Sequence, residues 1–257
     1  MVKSKYRNLN KSLPLLTMAK RKANLDNKEQ SKFKRFSIIA GKIILWFVLV
    51  SIIWVLAYRF INPPITILMV QRNFERKADD KKSKIDKKWV KFEDISDNMK
   101  RAAVAAEDQL FLKHLGFDIK AIEKAYASNA KGKKVRGGST ISQQTAKNVF
   151  LWPGRSFIRK GFEAYFTLLI ELLWSKERIL EVYLNVIEMG DGIYGAEAAA
   201  QKYYGKSCRK LSKSEASLIA ACFPNPLRWN PNKATSYIYH RQYLIMRNMR
   251  RLGPLDF

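Results

Sequence analysis

The sequence predicts a mainly α-helical protein with one membrane-crossing helix near its start, and three observations predict it. An uncharged run, IILWFVLVSIIWVLAY, occupies positions 43–58. With its flanks it reaches the roughly 20 residues that a spanning helix needs. Further along, apolar residues recur at helical spacing, as in Ile179, Val182, Tyr183, Val186 and Ile187. Finally, the chain has no internal repeat and no alternation of strand and helix patterns.

Bulk properties narrow the class. A chain of 257 residues can bury one sizeable core, or one domain plus an appendage. Its 48 Lys and Arg against 22 Asp and Glu give a formal net charge of +26. Such a field favours anionic partners: nucleic acid, anionic lipid or a phosphate-bearing substrate. Two histidines, His114 and His240, exclude a multi-His metal site, and Cys208 and Cys222 make neither a disulfide framework nor a metal pattern.

Taken in order, residues 1–37 read as a basic cytoplasmic tail; the first 36 hold eleven Lys and Arg and two acids, without apolar period. The tail is poor in aromatics for base stacking, so nucleic acid is not the expected partner. Residues 38–61 form the transmembrane helix, with Trp46, Trp54 and Tyr58 suited to a membrane segment. No small-residue cleavage site follows, which predicts an uncleaved anchor. Positions 20–42 carry eight Lys and Arg and positions 59–80 carry four, which keeps the N-terminus on the cytoplasmic side. Asn62-Pro63-Pro64 breaks the helix. Residues 62–89 then form a linker, in which positions 65–70 have strand-like composition.

Residues 90–257 form the main domain. Ser96 or Asp97 caps an alanine-rich helix carrying Glu107, and Gly116 supplies a left-handed stop. Asp108, Phe111 and His114, three residues apart, share one side of that helix. Further helices are predicted over residues 119–130, from Thr140 onward, and over 159–174, 177–187, 211–223 and 237–252. Gln143 stands where a capping-box partner of Thr140 belongs.

Two stretches invite chemistry. Glu107 lies on the last turns of its helix, where an acid opposes the macrodipole by a few tenths of a kcal/mol. It is either a solvated surface carboxylate or a general base at the lip of a cleft. In Arg136–Asn148, Gly137 and Gly138 let backbone approach a ligand, and the helix start behind them offers N–H groups to an anion. Lys147, Arg155, Arg159 and Lys160 could complete a phosphate cradle; the alternative is an ordinary helix cap with scattered surface bases. The stretch is not a P-loop. Glu163, four residues after Arg159, is either its ion-pair partner or a catalytic acid. Ser96-Asp97-Asn98 and Ser207-Cys208-Arg209-Lys210 match two serine transpeptidase motifs, but in the wrong order and without K-T-G, so they are coincidental.

Together these stretches resemble glycosyltransferase family 51, the peptidoglycan polymerases. The resemblance is carried by E-D-Q-L-F-L-K-H-L-G-F-D (107–118), G-G-S-T-I-S-Q-Q-T-A-K-N (137–148), R-K-G-F-E (159–163) and K-E-R-I-L-E-V-Y-L-N (176–185). It continues through Gly192-Ile193-Tyr194-Gly195, the run 198–206, and 211–226, and so covers roughly residues 90–251. An end at Phe257, without room for a transpeptidase domain, is similar to the monofunctional members of Gram-negative bacteria.

The resemblance implies a lysozyme-like helical head with a small jaw lobe dipping into the membrane. It also implies an inner-membrane protein with a periplasmic catalytic domain. The implied reaction polymerises lipid II onto a growing glycan strand, with inversion and release of undecaprenyl pyrophosphate. Glu107 matches the base that deprotonates the acceptor 4-hydroxyl, and Glu163 matches the second acid. The implied substrate-binding set is Gly138, Ser139, Gln143, Gln144, Lys147, Arg155 and Lys160. A divalent cation, Mg²⁺ or Mn²⁺, is left open at Glu163, no organic cofactor is expected, and cell-division or cell-elongation proteins are candidate partners. Asp108, Phe111, His114 and Asn185 read as architecture. The rival readings are a lysozyme-like peptidoglycan hydrolase or lytic enzyme, and a non-enzymatic basic membrane protein.

Overall fold

Helix α1 runs from Phe33 to Phe60 in a computed structural model that describes residues 33–79, 82–123, 138–154 and 156–257. At about 1.5 Å per residue its 28 residues are long enough, and apolar enough, to cross a membrane. The expected basic tail lies outside the described residues up to position 32. The chain divides into two units, residues 1–54 and 55–257. The described part of the first is α1 up to Trp54.

In the second unit α1 ends as Asn62-Pro63-Pro64 predicts, and the carbonyls freed there find donors. Arg178 donates to Tyr58 O at 2.9 Å and to Ile61 O at 3.0 Å, and Lys87 Nζ donates to Pro64 O at 2.9 Å. The strand-like stretch that follows is a correction: it begins helix α2 (Ile67–Ala78). Its β-branched residues favour a strand only weakly. Tertiary and capping terms decide otherwise: Thr66 accepts from Met69 N, Met69 is fully buried, and Gln71 and Arg72 both bond Glu75 at 2.6 Å along the helix.

Helix α3 (Asp97–Glu107) starts at Ser96, whose side chain accepts from Met99 N. The chain continues as α4 (Ile141–Phe150), α5 (Phe157–Leu173), α6 (Lys176–Val186), α7 (Ala196–Tyr204), α8 (Lys213–Ala221) and α9 (Ser236–Leu252). Three short strands were not foreseen. They are β1 (Asp86–Lys87), β2 (Glu188–Gly190) and β3 (Ile193–Tyr194), in the order β1-β3-β2, with β1 parallel and β2 antiparallel to β3. At two or three residues each, they are too short to carry a period-2 pattern.

The core centres on α6, where Ile179, Leu180, Val182, Tyr183, Leu184 and Val186 are all fully buried. Burying each such side chain stabilises by about 1.5–3 kcal/mol. α4 packs against both α5 and α6, while α3, α8 and α9 pack on one another. Buried Ala102, Ala103, Ala216 and Ala220 suit that close helix–helix approach. Asn185, at the end of α6, is fully buried and grips Val90: it accepts from Val90 N and donates to Val90 O, each at 2.9 Å. Gly195 closes on the same spot with φ +83°, where a Cβ would stand 2.8 Å from Asn185 O.

Candidate active site

The site begins where α3 stops. Glu107 is its last residue, and Asp108 leaves helical geometry at φ −158°. The helix therefore does not continue to Gly116, and Asp108, Phe111 and His114 are not on one helix face. They meet through a turn instead. Asp108 Oδ1 is 2.8 Å from His114 Nε2, and Phe111 is fully buried beneath Lys176, whose Nζ stands 4.6 Å from the ring centroid. Gly116, at φ +82°, serves the turn rather than the helix end. A Cβ there would come 2.6 Å from Thr167 Cγ2, and Gly116 O accepts from Thr140 Oγ1 at 2.6 Å.

Asp108 also settles what the start of α4 does. Its Oδ2 accepts the N–H of Ile141 at 3.1 Å, and Thr140 Oγ1 accepts the N–H of Gln143. The helix N-terminus offered above as an anion site is thus occupied by the chain's own carboxylate and its own cap. Gln143 Oε1 accepts from Thr140 N and completes the capping box, so Gln143, 4% exposed, serves α4 itself. Gly138 is half-buried and Ser139 exposed just ahead of that cap.

One turn into α4, Gln144 Nε2 donates to Glu107 Oε2 at 2.7 Å. Burial pushes the Glu107 carboxyl above its ordinary value; the Gln144 bond and the cations Arg241 and Lys147 oppose this, and Asp108 adds to it. Lys147 follows Gln144 by three residues, on the same side of α4. Burial pulls the Lys147 ammonium below its ordinary value. Arg159 and Lys160 add to that depression, while Glu163 and Glu107 counter it. Lys147 therefore feels both carboxylates that the motifs singled out.

Ser156 caps α5 by accepting from Arg159 N at 3.1 Å, and the first turns of that helix build the second carboxylate centre. Glu163, its side chain 4% exposed, is held by Arg159 at 2.7 Å and by Lys160. Both of its oxygens are thereby engaged. Among the described residues no group of three His, Cys, Asp or Glu side chains could hold a metal ion. The residues around Glu163 do not fit a protein-held divalent cation. Lys160 keeps its side chain 48% exposed. Arg155 lies outside the described residues, as do Gly137 and positions 124–130 of the predicted 119–130 helix.

A cleft of about 500 Å³ joins these parts. Gln144, Lys147 and Asn148 line it from α4, Arg159 from α5, Tyr183 from α6, and Trp152, Pro153 and Gly154 from the loop between α4 and α5. Neither Glu107 nor Glu163 is among its lining residues: Glu107 adjoins it through its bond to Gln144, and Glu163 through its ion pair with Arg159. Arg159 also carries a buried Nε–H without a hydrogen-bond partner among the described residues. Arg159, which the sequence offers as a cradle cation or an ion-pair partner and which stands in R-K-G-F-E, lies outside the expected binding set yet lines the cleft. Asn148 lies inside a motif without being singled out, and Tyr183 is read from the sequence only as a position on an apolar helix face. Leu68 and Arg72 of α2, and Glu188 of β2, also line the cleft from outside every motif, and no local signal marks them.

Known proteins match the helical domain that carries most of this site. A family model described as Transglycosylase matches residues 74–250. The biosynthetic peptidoglycan transglycosylase of Pseudomonas fluorescens (strain Pf-5) is 47% identical over 216 residues, covering 84% of this chain and 90% of that protein. Its counterpart from Pseudomonas savastanoi pv. phaseolicola is 49% identical over 216 residues, 84% of this chain and 92% of its own. The one from Caulobacter vibrioides is 52% identical over 199 residues, 77% and 84%.

Proposed function

The chain belongs to the transglycosylase family, and from that membership and the cleft we propose that it is a peptidoglycan glycosyltransferase acting on a lipid-diphosphate-linked disaccharide, lipid II. The growing strand is the donor and an incoming lipid II the acceptor. Glu107 takes the proton of the acceptor 4-hydroxyl as that oxygen bonds to the donor anomeric carbon. The bond from that carbon to the diphosphate breaks on the opposite face, with inversion. The electron pair leaves with the undecaprenyl diphosphate, where Lys147 and Arg159 meet the growing charge.

The observation that carries this reading is the Gln144–Glu107 bond at 2.7 Å beside Lys147. It supports an oriented, partly desolvated carboxylate held by the same side of α4 that presents Lys147 to the cleft. A base works best with its pKa near the working pH, which burial favours here. Cations pre-placed where charge develops stabilise the transition state more than the ground state. Arg159 Nε–H, without a hydrogen-bond partner among the described residues, can bond a phosphate oxygen.

The apolar helix α1 fits a single-pass anchor. On our reading it crosses the inner membrane with the basic tail inside and the catalytic domain in the periplasm, where the lipid-linked substrate is presented. Full-length protein in detergent should convert purified lipid II into glycan strands. Release of soluble fragments from preformed peptidoglycan, without polymerisation, would identify the lysozyme-like hydrolase instead.

A further inference from the structure

The cleft has a second polar patch, apart from Gln144, Lys147 and Arg159. Glu188, at the start of β2, has a side chain only 7% exposed. Its Oε1 accepts from the Tyr194 hydroxyl at a long 3.3 Å, and its Oε2 stands 3.4 Å from Arg72 Nε. That Nε–H is buried and makes no hydrogen bond among the described residues. A carboxylate can accept about four hydrogen bonds. Among the described residues it accepts the long bond from Tyr194 and the 3.4 Å ion pair with Arg72, which leaves lone pairs unfilled. Buried polar groups in native proteins are nearly always satisfied, so this pair is short of partners on the wall of a cleft.

Charge says which partner fits. Around Lys147 and Arg159 the lining is cationic and suits a diphosphate. At Arg72 the Glu188 carboxylate cancels the guanidinium and repels phosphate, so this patch suits a neutral group rich in hydroxyls and amides. A donor and an acceptor side by side match adjacent substituents on a sugar ring.

We propose that Arg72 and Glu188 form a sugar-binding subsite of the cleft. Glu188 accepts a hydrogen bond from a ring hydroxyl or an N-acetyl N–H, and Arg72 Nε–H donates to the neighbouring oxygen of the same ring. The pair positions one saccharide of the substrate, and this role rests on the glycosyltransferase reading above. α2 does not depend on it for docking. Arg76 pairs with Asp191, and Asn73 Oδ1 accepts from Lys84 N at 3.0 Å, so the helix stays tied to the β-strand region without it.

Steady-state polymerisation of lipid II by the full-length protein in detergent tests the subsite, with Glu188→Gln and Arg72→Met compared with the unaltered chain. Glu188→Gln should raise KM at least fivefold, keep kcat within twofold and keep the melting temperature within about 2 °C; Arg72→Met should raise KM likewise and keep kcat within twofold, with a lower melting temperature because it also strips Glu75 and Glu188 of their partner. Glu188→Asp should recover part of the KM. Unchanged KM in both variants overturns the subsite, as does a loss of kcat that tracks a fall in melting temperature, which marks a structural clasp. An unaltered chain that makes no glycan overturns the glycosyltransferase reading and the subsite with it, and that result is recognised before any variant is compared.

Discussion

The carboxylate of Asp108 accepts the backbone N–H of Ile141 at 3.1 Å, joining the end of one helix to the start of another 33 positions later. Glu107 is the neighbour of one partner, and Gln144, which holds Glu107, lies three residues past the other. The bond therefore sets the distance between the base and the side chain that orients it.

Replacing Asp108 with Ala leaves the Ile141 N–H and His114 Nε2 without their acceptor. A buried group stripped of its partner costs about 1–3 kcal/mol. Calorimetry should show a melting temperature lower by several degrees, and kcat should fall further than the folded fraction accounts for, because Gln144 and Glu107 are no longer held in register.

Glu107→Gln should lower kcat by about 10²–10⁴, the usual share of a general base. Stability should move the other way. A folded carboxyl with a raised pKa binds its proton more tightly than the unfolded chain does, so its contribution falls as pH rises above the ordinary carboxylate value. Gln carries no such penalty. Melting curves at pH 5 and pH 8 should show the variant gaining on the unaltered protein at the higher pH; a gap independent of pH would contradict the burial argument.

The pH profile of kcat/KM should be bell-shaped. Its acid limb reports Glu107 and lies above the ordinary carboxylate range. Its alkaline limb reports Lys147, whose burial lowers it below the ordinary lysine range, so the cradle loses charge early as pH rises. Lys147→Arg keeps a charge at every accessible pH. In that variant the alkaline limb should move up or vanish, whatever the loss in overall rate.

Asn185→Ala removes both bonds to Val90 from a fully buried position. A loss of roughly 2–4 kcal/mol is expected, from two unpaired backbone groups and a small void. Because Asn185 does not line the cleft, activity per folded molecule should stay within about threefold, as assayed below the lowered melting temperature.

The amino-acid order alone established the membrane-length helix and the helical class of the main domain, and its motifs pointed to both carboxylates and most of the cationic set. Those features are local: an apolar run, a 3.6-residue period, a Ser or Thr before a helix, a motif read in one direction. The tertiary structure decided the rest. It turned residues 67–78 into a helix, because burial of Met69 outweighs the weak strand preference of Ile and Val. It filled the start of α4 with Asp108, which no local pattern announces, and so closed the anion site that the glycines suggested. It moved Gly116 from a helix stop to a turn packed on Thr167. It brought Arg72 and Glu188, over a hundred residues apart, to one cleft wall. Spacing along the chain reports which residues share a helix face, but contacts across the core report which faces meet, and those depend on packing that no single segment carries.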